Sequence, residues 1–163
     1  MNNFEIIKTP IKDLLIIQPK VFGDERGFFL ETYNKKSFQE HGLTMEFVQD
    51  NHSKSKKGVL RGLHLQSGDY SQAKLISVLE GSMLDIVVDL RENSKTFGKY
   101  FSIELNEKSK KMLFIPKGFA HGFLTLEDNT EIFYKCDNFY NPKSEIGIIW
   151  NDRDLNINWN FKK

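Results

Sequence analysis

A single cysteine, Cys136, excludes an internal disulfide framework, since pairing needs two. An excess of either charge is missing as well. With 23 Lys+Arg against 22 Asp+Glu the formal net charge is +1 at pH 7, so nothing in the balance argues for a nucleic-acid groove or an anionic membrane as the main partner. Long hydrophobic runs are lacking: Leu14 to Ile17 and Ile146 to Trp150 are far too short to cross a bilayer. No charged-then-apolar export segment opens the chain, because Met1 to Glu5 runs straight into a strand-like stretch, and a cytoplasmic protein is expected. Gly/Ser-rich linkers, low-complexity tracts and internal repeats are absent too, so residues 1–163 read as one domain. What is present is 39% hydrophobic and 13% aromatic, enough over 163 residues to bury a sizeable core and to exclude disorder or a collagen-like repeat.

Short runs rich in Ile, Val, Phe and Leu recur at Leu14 to Ile17, Glu46 to Gln49, Val59 to His64, Lys74 to Leu79, Met83 to Asp89, Tyr100 to Leu105, Lys111 to Ile115, Gly122 to Leu126, Glu131 to Lys135 and Ile146 to Trp150. Turn formers lie between them, among them Ser67-Gly68-Asp69, Glu80-Gly81-Ser82, Glu127-Asp128-Asn129 and Asn141-Pro142. This rhythm predicts an all-β sandwich or small barrel. One short helix is expected at Lys36 to His41, and a further turn near Asn106 to Lys110. In the tail, Leu155, Ile157, Trp159 and Phe161 alternate with polar residues, which predicts a terminal edge strand rather than an arm on a partner.

Polar side chains inside strand patterns need partners or a solvated cavity. In Val59 to Gln66, strict alternation puts Leu60, Gly62, His64 and Gln66 on one side and Val59, Arg61, Leu63 and Leu65 on the other. A second imidazole, His121, follows Pro116 and Gly118 in a spacing that resembles the second metal-binding motif of cupins, which points to a cupin-type barrel. The first cupin motif requires a His-x-His pair with a nearby acid; here the chain reads His64-Leu65-Gln66, with no acid until Asp69. No metal site is therefore expected. Cys136 has no nucleophile signature around it and reads as an inert sheet thiol. What remains is acid-base chemistry, with histidine as the group that removes a proton near neutrality and Tyr134 as a candidate to return one. Alone, Tyr134 would read as a packed ring with a wet hydroxyl.

Ordered blocks carry a closer resemblance. They are Asp24-Glu25-Arg26-Gly27-Phe28-Phe29-Leu30-Glu31, Gln49-Asp50-Asn51-His52-Ser53, Gly58 to Gln66, Lys74-Leu75, Val88-Asp89-Leu90-Arg91, Ser94 to Gly98, Ile115 to Phe123, Tyr134-Lys135 and Trp150-Asn151-Asp152. Together they resemble the dTDP-4-dehydrorhamnose 3,5-epimerases, cupin-type isomerases of bacterial deoxysugar synthesis for surface polysaccharides. The resemblance implies a double-stranded β-helix, or jelly-roll barrel, with short helical segments. It also implies inversion of the carbons flanking a ketone in a nucleotide-linked 4-keto-6-deoxyhexose, without a cofactor. By the same resemblance His64 is the base, Tyr134 the acid, and Lys74 the cation beside the carbon 4 oxygen. Arg26 and Arg61 are implied as diphosphate ligands, and Glu31, Gln49 and Asn51 as nucleotide contacts. His121 is implied as a sugar contact, Tyr140 as the ring stacked on the base, and Glu145 as a further substrate-binding position. A homodimer with shared sites is implied, with no nucleic acid and no membrane as partner.

Members of this family are expected to carry, after the Trp159 region, a Leu-Ser-x-Lys-Asp segment whose acid orients the catalytic histidine, whereas this sequence reads Asn160-Phe161-Lys162-Lys163. The orienting role is then expected to fall to another acid, Asp85. Rival readings are a 3-epimerase, a 3,5-epimerase of another nucleotide sugar such as a GDP-4-keto-heptose, and a sugar-nucleotide-binding cupin that has lost catalysis. Joint retention of His64, Lys74 and Tyr134 argues against the last.

Overall fold

Strands are the prevailing regular structure of the computed structural model, which describes residues 3–161. In chain order they are β1 (Phe4–Lys8), β2 (Leu15–Pro19), β3 (Phe22–Asp24), β4 (Gly27–Phe29), β5 (Gln49–Ser55), β6 (Leu60–Gln66), β7 (Lys74–Glu80), β8 (Ser82–Asp89), β9 (Tyr100–Asn106), β10 (Met112–Ile115), β11 (Phe119–Thr125), β12 (Thr130–Cys136) and β13 (Glu145–Ile148). Among the described residues one α-helix, α1 (Lys35–Glu40), lies between β4 and β5, and 3₁₀ turns occupy Gly68–Tyr70 and Pro142–Ser144. Asn34 caps α1, its side chain accepting from the Ser37 N–H.

The strands form a six-stranded sheet in the order β1-β2-β10-β7-β12-β5 and a five-stranded sheet in the order β13-β6-β11-β8-β9, with β3 and β4 as a separate ribbon. Every pairing among them is antiparallel. The jelly-roll barrel expected from the resemblance is what the chain forms. Ile76, Val78, Met83, Val87, Leu105, Leu113, Ile115, Phe123 and Ile132 meet between the sheets as the inner core. Outside the six-stranded sheet, Phe38 of α1 packs with Phe4, Ile17, Leu75, Met112 and Phe114. Burying side chains on both faces makes β8 and β11 buried throughout, which is why they read as near-continuous apolar runs.

Two expectations are corrected here. The tail makes no strand through Phe161; it lies as an irregular strap against the outer face of the five-stranded sheet, where Trp159 packs with Leu63, Ile86, Val88 and Leu124. The Trp159 indole donates to the Trp150 carbonyl at 2.8 Å, so turns rather than a ladder satisfy this segment. Its Lys162 and Lys163 lie outside the described residues. The run expected at Glu46 to Gln49 is not a strand either. The strand starts at Gln49 and is polar, with Gln49, Asn51, Ser53 and Ser55 set on one face by the register to β12.

Candidate active site

Beside the apolar core, polar groups gather inside the barrel, beginning where β6 and β11 pair. His64 lies opposite His121, but Arg61, three residues back, lies opposite Phe123, only two residues on. The extra residue in β6 is a β-bulge, and it overturns strict alternation: Arg61 and His64 share the inner face. Arg61 confirms this by donating to Ser55 Oγ of the other sheet at 3.4 Å. Gly122 makes the bulge fit. A Cβ there would lie 2.8 Å from the Arg61 carbonyl oxygen and 3.1 Å from the Leu63 nitrogen.

Among the described residues no carboxylate is hydrogen-bonded to His64. Its Nδ1 lies 3.1 Å from the Gly62 carbonyl oxygen, which can only accept, so Nδ1 carries the proton and Nε2 keeps a free lone pair when the ring is neutral. Asp85, expected to orient His64, is instead 2.5 Å from His121 Nε2. The register explains this: β8 sets Asp85 opposite Phe123 and Val87 opposite His121, so Asp85 is the diagonal neighbour of His121 on the same face. Both members are buried, and the second Asp85 oxygen has no hydrogen-bond partner among the described residues. The two imidazole rings stand 6.2 Å apart.

The facing sheet supplies the other groups. Lys74 pairs with Cys136 in the ladder, and Tyr134 pairs with both Ile76 and Asn51, so the period of two puts Lys74, Tyr134, Cys136, Gln49 and Asn51 on the inner face. Lys74 is 6% exposed and makes no hydrogen bond or ion pair among the described residues; its ammonium stands 6.0 Å from the centre of the Tyr134 ring. Asn51 donates to Cys136 Sγ at 3.7 Å. Burial pushes the Cys136 thiol up to about 11, so it stays protonated and inert, as expected of it.

These groups act on one another across the barrel. Burial, then the Lys74 charge, hold His64 below the usual imidazole value, opposed by the Gly62 carbonyl. Burial lowers Lys74 as well, although Asp85 and Glu145 favour its charged form. Tyr134 is raised by burial, with Arg61 pulling the other way. The site thus holds a base that is neutral at neutral pH, a phenol that keeps its proton, and a cation that forms no ion pair among the described residues. That combination suits removal and return of a carbon-bound proton next to a carbonyl whose oxygen takes up negative charge.

At the rim, the Tyr140 hydroxyl is hydrogen-bonded to Glu145, which raises the phenol, and the Tyr140 ring is 51% exposed. Glu145 opens β13, whose register sets Gly147 opposite His64. Two implied residues do not join the cluster. Arg26 sits at the tip of the β3–β4 ribbon, paired at 2.5 Å with Asp24, and Glu31 accepts from Asn3 and Asn34. Sequence reasoning missed Gln66 as a site residue, although its alternation with His64 was the available signal. Among the described residues no group of three or more His, Cys, Asp or Glu side chains could hold a metal ion. A separate cleft of about 630 Å³ beside α1, where Lys117 pairs with Asp137, holds none of the acid-base groups.

Known proteins share this fold. The family model described as dTDP-4-dehydrorhamnose 3,5-epimerase matches residues 8–163. The dTDP-4-dehydrorhamnose 3,5-epimerase of Shigella flexneri is 54% identical over 155 residues, covering 94% of this chain and 86% of that protein. The crystal structure of the enzyme of that name from Elizabethkingia anophelis superposes with a TM-score of 0.94 at 54% identity, over 99% of this chain and 88% of the other. An epimerase from Legionella pneumophila, solved in complex with dTDP-4-keto-L-rhamnose, superposes with a TM-score of 0.94 at 48% identity, over 98% of this chain and 85% of the other. With the barrel, the paired imidazoles and the buried lysine in place, these matches establish that the chain belongs to the dTDP-4-dehydrorhamnose 3,5-epimerase family.

Proposed function

We propose that the protein converts dTDP-4-dehydro-6-deoxy-D-glucose to dTDP-4-dehydro-L-rhamnose by inverting carbons 5 and 3. The observation that carries this reading is the placement of His64 and Tyr134 on the inner faces of opposite sheets, with the unpaired Lys74 ammonium 6.0 Å from the centre of the Tyr134 ring. His64 Nε2 takes the proton from the carbon next to the ketone. The electron pair moves into the carbon-carbon bond, and the carbonyl oxygen becomes an enolate oxygen. Lys74 stabilises that oxygen, a contribution of roughly 3 kcal/mol by analogy with an oxyanion donor. Tyr134 then delivers a proton to the opposite face of that carbon as the enolate collapses to the ketone, and before the second inversion His64 releases its proton to solvent and the Tyr134 phenolate takes one back. Each inversion returns the sugar to the same oxidation level, so the residues need supply only protons.

Arg61 lies on the same face as His64, and its planar fork suits a diphosphate. Gln49, Asn51, His121, Tyr140 and Glu145 line the path from sugar to base in this reading. Arg26 and Glu31 lie away from it. Their ribbon exposes Phe22, Phe28 and Phe29, which supports a homodimer in which the ribbon reaches a second subunit's site. The chain works as one domain, in the cytoplasm. Among the described residues no helix is long and apolar enough to cross a membrane.

Incubation with the 4-keto-6-deoxyglucose nucleotide in heavy water tests the reaction. Deuterium is expected at both carbons. Incorporation at carbon 3 alone identifies a mono-epimerase, and tight binding with no exchange identifies a binding module; either result overturns the reading.

A further inference from the structure

Two glutamines, one from each sheet, hold consecutive peptide groups at the rim of the barrel. Gln49 of β5 accepts the Tyr140 N–H at 3.1 Å, and Gln66 of β6 accepts the Asn141 N–H at 2.9 Å. The segment after β12 is thereby tied to both walls at neighbouring residues, while the Tyr140 ring itself remains half exposed. A rim segment ordinarily gives its backbone to water. Here it is given to side chains, and one of them is buried: Gln66 is 4% exposed.

Packing alone does not account for Gln66. Its Nε2 has no hydrogen-bond partner among the described residues, a loss that a methionine of similar volume would avoid. Nor can the amide turn over to relieve it, because the Asn141 N–H requires an oxygen. What the amide secures is the position of the Asn141 peptide, and with it the Tyr140 side chain next door.

We propose that Gln66 is a positioning residue for nucleotide binding: together with Gln49 it fixes the Tyr140 ring over the mouth of the barrel, where a nucleoside base stacks on it. This rests on the nucleotide reading above. Gln66 acts through the ring, so its effect exists only while the ring is there.

Calorimetric titration with dTDP, alongside steady-state kinetics, tests it. Gln66→Met is expected to weaken dTDP about tenfold, the order of a lost base stack, and to raise KM more than it lowers kcat. Tyr140→Ala is expected to lose a similar factor, and the double variant to bind no more weakly than Tyr140→Ala alone. Gln66→Glu keeps an oxygen for the Asn141 N–H and is expected to recover affinity to within about threefold of wild type, which separates the contact from a folding defect. Wild-type affinity in Gln66→Met, losses that simply multiply in the double variant, or a Gln66→Glu as weak as Gln66→Met overturns the inference while leaving the nucleotide reading intact. Wild-type protein that binds no dTDP overturns both.

Discussion

Arg61 and His64 stand three positions apart in one strand yet present their side chains to the same cavity, because the strand takes one residue more than its partner between them. A regular strand would have sent the guanidinium outward. The bulge is the device that puts the Arg61 guanidinium beside the His64 ring, the fork and the base of the proposed reaction.

Gly122→Ala tests the bulge. The added methyl would meet the Arg61 carbonyl at 2.8 Å, and the clash is with backbone that cannot step aside cheaply. A loss of about 1–3 kcal/mol in urea unfolding is expected, the usual cost of overpacking. Turnover in this variant should fall by a larger factor than for a core substitution of equal cost placed on the tail strap.

Lys74→Met should act on rate and pH together. Loss of an enolate-stabilising cation is expected to lower kcat on the order of a hundredfold. His64 is held below 6.5 by burial and by the Lys74 charge, and the neutral ring is the active form. In wild type kcat/KM therefore declines only as pH falls through that lowered value. Without the lysine charge the protonated ring is less disfavoured, so the acidic limb should move to higher pH.

Asp85→Asn separates His121 from His64. The 2.5 Å contact to His121 Nε2 loses its charge assistance, which is worth enough to reduce kcat/KM by about tenfold or more. The acidic limb set by His64 should stay near its wild-type position, since Gly62 rather than Asp85 holds that ring. A pH profile that moved as far as in Lys74→Met would show Asp85 acting on His64 after all.

Asp89→Asn reports on the scaffold. Burial pushes this carboxyl up, but Arg91, Ser94 and Thr96 all donate to it, at 2.9, 2.6 and 2.6 Å, and hold it well below the usual range. A group lowered on folding adds stability above its unfolded value near 3.9, and that share is lost as pH falls through the acid range. Asp89→Asn should cost about 3 kcal/mol at pH 7 in urea unfolding, and the gap to wild type should narrow towards pH 3.

Most strands were legible in the sequence as short apolar runs, most plainly β8 and β11, whose two faces are both buried. β5 was not, because its inner face is polar where it walls the site, and hydrophobicity moved the expected strand to the residues before it. The β3–β4 ribbon escaped notice for a related reason: its three-residue strands belong to neither sheet and are exposed. The catalytic candidates His64, Lys74 and Tyr134 came from resemblance rather than from periodicity, and alternation misplaced Arg61 because no pattern of residue types announces a bulge. Asp85 was singled out as an acid with a task, but only strand register could show that its partner is His121.

Lys74 carries one more consequence. A buried ammonium with no ion pair among the described residues weakens the resting fold, and in the proposed reaction the developing anion beside it offsets that cost. The protein is therefore built to be less robust empty than it needs to be. Lys74→Met should melt at a higher temperature than wild type while scarcely turning over, and a screen for heat tolerance alone would select against the very side chain to which the proposed reaction assigns its cation.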